Sequence, residues 1–229
     1  MKKKFLSNHI APLVLGILMI SALIGMLLYA PTENVMGDTQ RIFYFHVPAA
    51  VNSFICFFIV FIASIQFLRT RKTYWDKLAL SAAQVGVVFC LIVLITGPIW
   101  AKPIWGVFWR WEPRLTTVLI MFTNYGAYLI MRSYENNSDR VQRIASVIGI
   151  VAFLNVPLVY FAVDLWSADQ QLHPQRNVEI DPKMRIALYI SFAAHISLLV
   201  FLLLRRVHLY QIEEAITHLR THVHDQIDR

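Results

Sequence analysis

Six long blocks of apolar residues constrain the fold of this chain more than any other feature of its sequence. They contain no Lys, Arg or Glu, and their only acidic residue is Asp164, near the end of the fifth block. Each block is about 17–23 residues long, and roughly 20 helical residues cross the ~30 Å apolar layer of a membrane. Because backbone in lipid must satisfy its own hydrogen bonds, the blocks predict transmembrane helices. The predicted helices are 10–30, 47–68, 78–98, 115–131, 144–166 and 186–204.

The composition agrees with this fold class and excludes several others. Of the 229 residues, 57% are hydrophobic and 15% are charged, whereas soluble domains average about 45–50% and 25%. The chain is too apolar to be disordered, and the alternation of a membrane barrel is absent. We predict an all-α membrane protein with a six-helix transmembrane domain at 1–204 and an amphipathic tail at 205–229. The tail is expected to lie on the inner membrane surface, against a partner subunit, or in solvent.

Basic residues in the loops predict the orientation of the chain. With the N-terminus in the cytoplasm, 14 Lys and Arg lie on the cytoplasmic side and 7 on the other side. Cytoplasmic loops carry the excess of positive charge in membrane proteins. Both termini are therefore predicted to be cytoplasmic, and segments 31–46, 99–114 and 167–185 to lie outside. The net charge of +7 then reflects topology, and no nucleic-acid partner is expected.

The outer segment between the third and fourth helices is rich in tryptophan. An interfacial aromatic belt explains any single Trp, but it explains four within twelve residues less well. Pro98, Pro103 and Pro113 predict that the helices stop short of this segment. The spacing of Trp105 and Trp109 predicts a short helical turn that places both rings on one face. The four residues are Trp100, Trp105, Trp109 and Trp111, out of six tryptophans in the chain.

The same segment carries positive charge and one glycine. Lys102, Arg110 and Arg114 lie where the topology rule favours few cations. Gly106 permits close approach of a flat ligand. Aromatic rings would match the plane of such a ligand, and the cations would match its carboxylates. The segment therefore predicts a flat, apolar, anionic ligand, and haem has this shape and charge.

Two histidines are predicted on the same face as the Trp-rich segment. His46 precedes Val47 and Pro48 at the start of the second helix, where the helix dipole favours the neutral, metal-ligating imidazole. His173 lies in the outer segment after the fifth helix. A haem iron with two histidine ligands needs one from each side. From the residues alone, haem ligation and a solvated polar role both stay open.

Other polar residues have weaker signals. His195 lies inside the sixth helix, either as a functional group or as a hydrogen-bonding partner of a neighbouring helix. Asp164 either orients a histidine or pairs with an outer Arg. Pro157 predicts a kink in the fifth helix. His218 and His222 are four apart on the tail, but no third metal ligand accompanies them.

Several sequence runs resemble one family of membrane proteins. WGVFWRWE at 105–112 looks like a tryptophan-rich haem motif, within the longer run TGPIWAKPIWG at 96–106 and before RLT at 114–116. RIFYFHVPAA at 41–50, the stretch 155–173 and DPKMR at 181–185 match segments that carry two outer histidines. The chain resembles the haem-handling proteins of cytochrome c biogenesis (CcmC, CcmF and CcsA), most closely the CcmC or haem exporter protein C family. The family motif usually ends in Asp, whereas Glu112 stands here.

The resemblance implies a function and a set of site residues. It implies a bacterial inner-membrane protein, not an enzyme, that binds haem b at its outer face and delivers it to the periplasmic haem chaperone CcmE. It also implies work beside the CcmA/CcmB ABC transporter and the small subunit CcmD. By the resemblance, His46 and His173 are the axial ligands of the haem iron. The expected haem-binding residues are His46, His173, Trp100, Lys102, Trp105, Gly106, Trp109, Arg110, Trp111, Glu112 and Arg114.

Three other classes of protein fit the sequence less well than a haem-handling protein does. A membrane b-type electron-transfer subunit needs histidine pairs within helices, and only His195 is clearly mid-helix. A small-molecule permease predicts broken helices lined by polar groups at the midplane, whereas the signal here lies at one surface. A cytochrome c synthetase normally has more helices and a soluble outer domain, for which a chain of 229 residues is too short.

Overall fold

The computed structural model describes residues 2–134, 138–165 and 180–227, and these ranges are helical almost throughout. No strand occurs within them apart from one isolated bridge between Glu33 and Gly37, which confirms the all-α fold for this part of the chain. A π-helical turn (Gly25–Tyr29) continues the first helix, and a 3₁₀ turn (Asp38–Ile42) precedes the second. The α-helices are α1 (Lys2–Ile24), α2 (Phe43–Thr70), α3 (Thr73–Trp105), α4 (Pro113–Tyr134), α5 (Asp139–Phe153), α6 (Asn155–Leu165) and α7 (Pro182–Ile227).

Five segments of the described chain are long and apolar enough to cross a membrane, so this is a multi-pass membrane protein. They correspond to the first, second, third, fifth and sixth predicted helices. α4 covers the fourth, but Thr, Asn and Arg side chains dilute its apolar residues, and the sixth crossing stays a prediction. The five segments are Ile10–Tyr29, Asp38–Thr70, Thr73–Trp105, Asp139–Ala162 and Pro182–Thr217.

α2 and α3 form a tight antiparallel hairpin at the centre of the fold. Arg71 ends α2 in the left-handed conformation (φ 57°), and Lys72 leads directly into α3. A Cβ atom on Gly86 would lie 2.8 Å from both Cys56 Cβ and Phe57 Cε1. Only glycine fits there, because real Cβ atoms do not approach other carbons so closely. The missing side chain therefore lets the two helices touch at this level.

α3 runs through Pro98 and Pro103, so the prediction that these prolines end the helix is wrong. Proline removes one N–H and crowds the carbonyl four residues earlier, but transmembrane helices tolerate this where neighbouring groups satisfy the released carbonyl. The helix ends at Trp105 and is capped by Gly106, whose φ of +73° suits glycine and whose N–H donates to Lys102 O at 3.0 Å. Pro113 begins α4, where the missing N–H has no cost.

The predicted kink in the fifth membrane segment is confirmed. α5 ends at Phe153 and α6 begins at Asn155, with Leu154 in a turn between them. Pro157 cannot donate to the carbonyl of Phe153, and its ring crowds that carbonyl. Asn155 Nδ2 donates to Thr117 O at 2.7 Å, which anchors the start of α6 to α4.

α7 is one continuous helix of 46 residues, about 69 Å long. The predicted tail continues this helix without a break. Its first turns rest on α3, because Arg206 Nε donates to Gln84 Oε1 at 2.6 Å and Lys77 pairs with Glu214. A stripe of apolar side chains on the tail is exposed, namely Leu209, Ile212, Ile216, Leu219 and Val223.

A buried ion pair joins the start of α3 to the end of α4. Arg132 donates to both oxygens of Asp76 at 2.7 and 2.8 Å, and the two side chains are only 2% and 3% exposed. Such pairs stabilise a fold little compared with apolar packing, but removing one partner leaves a buried charge. Each of the two buried charges is therefore neutralised only while the other side chain is present.

We predict that Arg132→Met destabilises the protein by about 3–5 kcal/mol, because Asp76 is then buried without its cation. The double variant Asp76→Leu/Arg132→Met should recover much of this loss. The free energy of unfolding in detergent measures both effects.

The exposed pair of Asp139 and Arg143, 3.0 Å apart, provides the control. Asp139→Asn should lower the free energy of unfolding by no more than about 1 kcal/mol. An Arg132→Met variant as stable as this control would contradict the role given to the buried pair.

Candidate functional site

His46 lies in the first turn of α2, on a segment that is fastened to the end of α1. The guanidinium of Arg41 donates to the backbone carbonyls of Met26 and Ala30, and its Nε donates to Asp38 Oδ1 at 3.0 Å. The Met26 carbonyl belongs to the π-helical turn, whose last carbonyls need donors from elsewhere. One arginine thus joins the two helix ends just before the histidine.

The imidazole of His46 contacts α3 through its polar edge. Nδ1 lies 2.8 Å from Thr96 Oγ1. A Cβ atom on Gly97 would lie 3.4 Å from His46 Cε1, so the ring rests close to the α3 backbone. The ring is half-buried. The α2–α3 hairpin therefore sets both the position and the hydrogen bond of this histidine.

One aromatic ring contacts the same imidazole, and a second packs against the first. Trp100 follows Thr96 by one helical turn and lies with its ring centroid 5.6 Å from that of His46, at 64°. Phe43 contacts Trp100 at 6.0 Å. The indole Nε1 of Trp100 is buried and has no hydrogen-bond acceptor in the described part of the chain. His46 thus has a polar partner on one nitrogen and one indole ring beside it.

The loop after α3 has a defined shape without helical structure. Lys102 Nζ donates to Gly106 O at 2.7 Å and lies 5.3 Å from the centroid of Phe108. Because α3 ends at Trp105, no helical turn places Trp105 and Trp109 on one face, and that prediction is wrong. Instead, the Trp109 ring meets another tryptophan, Trp111, edge-on, with centroids 5.6 Å apart.

The loop buries its carboxylate and exposes one indole. Glu112 is 4% exposed, and its backbone carbonyl accepts the N–H of Thr116 in the first turn of α4. Trp111 is 75% exposed. Trp109 Nε1 is buried without an acceptor among the described residues. Arg110 is exposed, and Arg114 is half-buried.

The expected site residues form three sets of contacts. His46 and Trp100 meet in the first, Lys102 and Gly106 in the second, and Trp109 and Trp111 in the third. His173 lies outside the described residues. The assignment of these residues as a haem site therefore stays a prediction, with one histidine placed in the structure.

Three residues near His46 were not singled out from the sequence. Thr96, Gly97 and Phe43 all contact His46 or its aromatic neighbour. The sequence could have pointed to Thr96, because Thr96 and Trp100 are four residues apart and so share a face of α3. The contact between Thr96 and His46 of α2 could not be predicted from a local pattern, since it joins residues fifty positions apart.

Among the remaining histidines, His195 is held inside the bundle, although its Nε2 is buried without a hydrogen-bond partner among the described residues. His195 Nδ1 donates to Ser191 O within α7 at 2.8 Å, and its ring meets Phe45 at 4.9 Å. Asn52 Nδ2 donates to the backbone carbonyl of His195 at 2.7 Å, which fastens α7 to α2. No group of three potential metal ligands occurs among the described side chains. The side chains of Asp164, His218 and His222 are not among the described ones.

Comparisons with known proteins identify the relatives of this chain. The family model described as heme exporter protein C, CcmC, matches residues 2–224. A cytochrome c biosynthesis ccmC-like mitochondrial protein of Marchantia polymorpha is 36% identical over 168 residues, covering 72% of this chain and 71% of the relative. Heme exporter protein C of Paracoccus denitrificans is 34% identical, covering 77% and 75%, and that of Escherichia coli is 29% identical, covering 78% and 73%.

The match with the family model extends over nearly the whole chain, including the hairpin that carries His46, the Trp-rich loop and all seven α-helices. The chain belongs to the CcmC family, the heme exporter protein C family.

Proposed function

We propose that this protein holds haem b, as cargo, at the end of the helix bundle that carries the Trp-rich loop, and delivers it to the periplasmic chaperone CcmE. The family description and the names of the relatives connect the family to haem export and cytochrome c biosynthesis. In this proposal the chain presents haem without reacting with it. It works beside the CcmA/CcmB ABC transporter and the small subunit CcmD.

The observation that carries the proposal is the environment of His46. Imidazole is the common axial ligand of haem iron, and here it is held by a hydroxyl at one nitrogen and by Trp100 beside the ring. An iron ligand needs this kind of fixed orientation, because the metal–nitrogen bond is directional. Trp100, and Phe43 packed against it, offer flat apolar contact to a macrocycle.

The polar groups of the same end support an anionic cargo. The indole N–H groups of Trp100 and Trp109 are buried without acceptors among the described residues, although buried donors are nearly always bonded. Carboxylates of bound haem would supply acceptors. Arg110 adds positive charge on the loop, and Lys102 and Arg114 add it at the adjoining ends of α3 and α4.

The second axial ligand in this proposal is His173. The resemblance of residues 155–173 to the family segment with the second outer histidine supports it, and so does the predicted side of the membrane. Two imidazoles on opposite faces of the macrocycle would give a six-coordinate, low-spin iron.

We also propose that the Trp-rich end faces the periplasm and that both termini lie in the cytoplasm. The excess of Lys and Arg on the opposite side supports this orientation. α4 supplies the sixth crossing. With 22 residues it is about 33 Å long, and the pairing of Asp76 with Arg132 brings its end beside the start of α3.

Replacing either proposed ligand should remove or weaken haem binding. We expect His46→Ala and His173→Ala each to lower haem affinity by at least about tenfold. Even the loss of a residue that only hydrogen-bonds to a metal ligand lowers metal affinity by this much. The residual haem should change from a low-spin to a high-spin spectrum. Haem content and absorption spectra of the purified full chain measure both effects.

His208→Ala is the matched control, because His208 is an exposed histidine on α7. It should retain the haem content and spectrum of the unmodified chain. Unchanged haem binding with both His46 and His173 replaced would contradict the ligand assignment and direct attention to His195.

Cysteine labelling tests the orientation. Val35→Cys lies in the segment after α1 and Tyr134→Cys at the end of α4, and both positions are highly exposed. In a background without Cys56 and Cys90, an impermeant maleimide added to spheroplasts should label Val35→Cys at once. Tyr134→Cys should be labelled only after permeabilisation. The reverse pattern would show that the orientation is wrong.

A further inference from the structure

The hydroxyl of Thr96 has two close polar neighbours. Its Oγ1 lies 2.7 Å from the backbone carbonyl oxygen of Ile92, one turn earlier on α3, and 2.8 Å from His46 Nδ1 on α2. Both distances are typical of hydrogen bonds. The hydroxyl thus connects the helix backbone to the imidazole ring.

Counting protons fixes the direction of both bonds. A hydroxyl has one proton, and the carbonyl of Ile92 can only accept. Two oxygens 2.7 Å apart would repel each other without a proton between them, so the Thr96 proton points to Ile92. Oγ1 then presents only lone pairs to His46 Nδ1, and that nitrogen must be the donor.

The direction of the second bond fixes the tautomer of the imidazole. A neutral histidine with its proton on Nδ1 has its lone pair on Nε2. Nε2 is therefore the nitrogen suited to bind a metal. Gly97, beneath Cε1, and Trp100, beside the ring, keep the imidazole against α3.

We infer that Thr96 is a positioning residue for the haem ligand His46: its hydroxyl oxygen accepts the Nδ1 proton and directs the Nε2 lone pair toward iron. The inference rests on the proposed function, because it needs His46 to be the ligand. A hydrogen bond from the second nitrogen also makes an imidazole a stronger electron donor. Thr96 therefore lowers the reduction potential of the bound iron as well as fixing the ring.

Two substitutions at Thr96 separate the hydroxyl from the size of the side chain. Thr96→Val keeps the shape and removes the oxygen, and we expect haem affinity to fall about tenfold or more and the midpoint potential to become more positive. Thr96→Ser keeps the oxygen and should restore both quantities. Absorption titration of the full chain with haem in detergent gives the affinity, and a spectroscopic redox titration gives the potential.

Thr117→Val is the matched control. Thr117 is a half-buried threonine of α4 whose hydroxyl donates to Pro113 O at 2.8 Å, the same type of backbone bond that Thr96 makes. The variant should leave haem affinity and potential unchanged. Loss of binding equal to that of Thr96→Val would show a general packing effect and would overturn the inference.

A double variant tests whether Thr96 acts through His46. In a His46→Ala background, Thr96→Val should weaken haem binding no further, because the two residues act as one unit. Additive losses of haem affinity in the double variant would overturn the inference. It would also be overturned if Thr96→Val left haem affinity and potential unchanged while His46→Ala lost haem. If His46→Ala keeps the original spectrum and affinity, the proposed ligand itself is wrong, and the role of Thr96 is overturned with it.

Discussion

The close contact between α2 and α3 at Gly86 determines the rest of the structure. Because no Cβ separates the helices there, Cys56 and Phe57 pack directly on the α3 backbone. The short turn at Arg71 and Lys72 fixes the register of the hairpin. That register places His46 beside Thr96 and Gly97 at the far end. A bulkier residue at the contact would shift the two helices and so move the imidazole relative to its partner.

Other elements pack on this hairpin through similarly small or flat groups. Tyr125 of α4 stacks on Phe57 with centroids 3.7 Å apart. A Cβ on Gly149 of α5 would lie 2.9 Å from Ser64 Oγ, so α5 also needs a glycine to reach α2. Lipid gives helices little apolar driving force to associate, and close packing of small residues takes its place. α1 packs little and has a mostly exposed surface.

The helices were predictable because lipid leaves the backbone few choices, but their ends and mutual contacts were not. Pro98 and Pro103 predict an early end to α3, yet the surrounding bundle tolerates them up to Gly106. Periodicity placed Trp105 and Trp109 on one face by assuming a helix that does not continue. His46 was identified from its place before Pro48 and from the family resemblance. The role of Thr96 needed the contact between two helices, which no local pattern contains.

The position of Thr96 along α3 also determines how far the imidazole of His46 lies from the end of the helix. Thr96 precedes Lys102 by six residues, which is about 9 Å along the helix. The imidazole bonded to it therefore lies below the cationic end, at the level of apolar side chains. In the proposed function, haem bound to this nitrogen would lie among apolar side chains. Its affinity would then depend mainly on the iron–nitrogen bonds and on the contacts to its carboxylates, which lie nearer the cationic end.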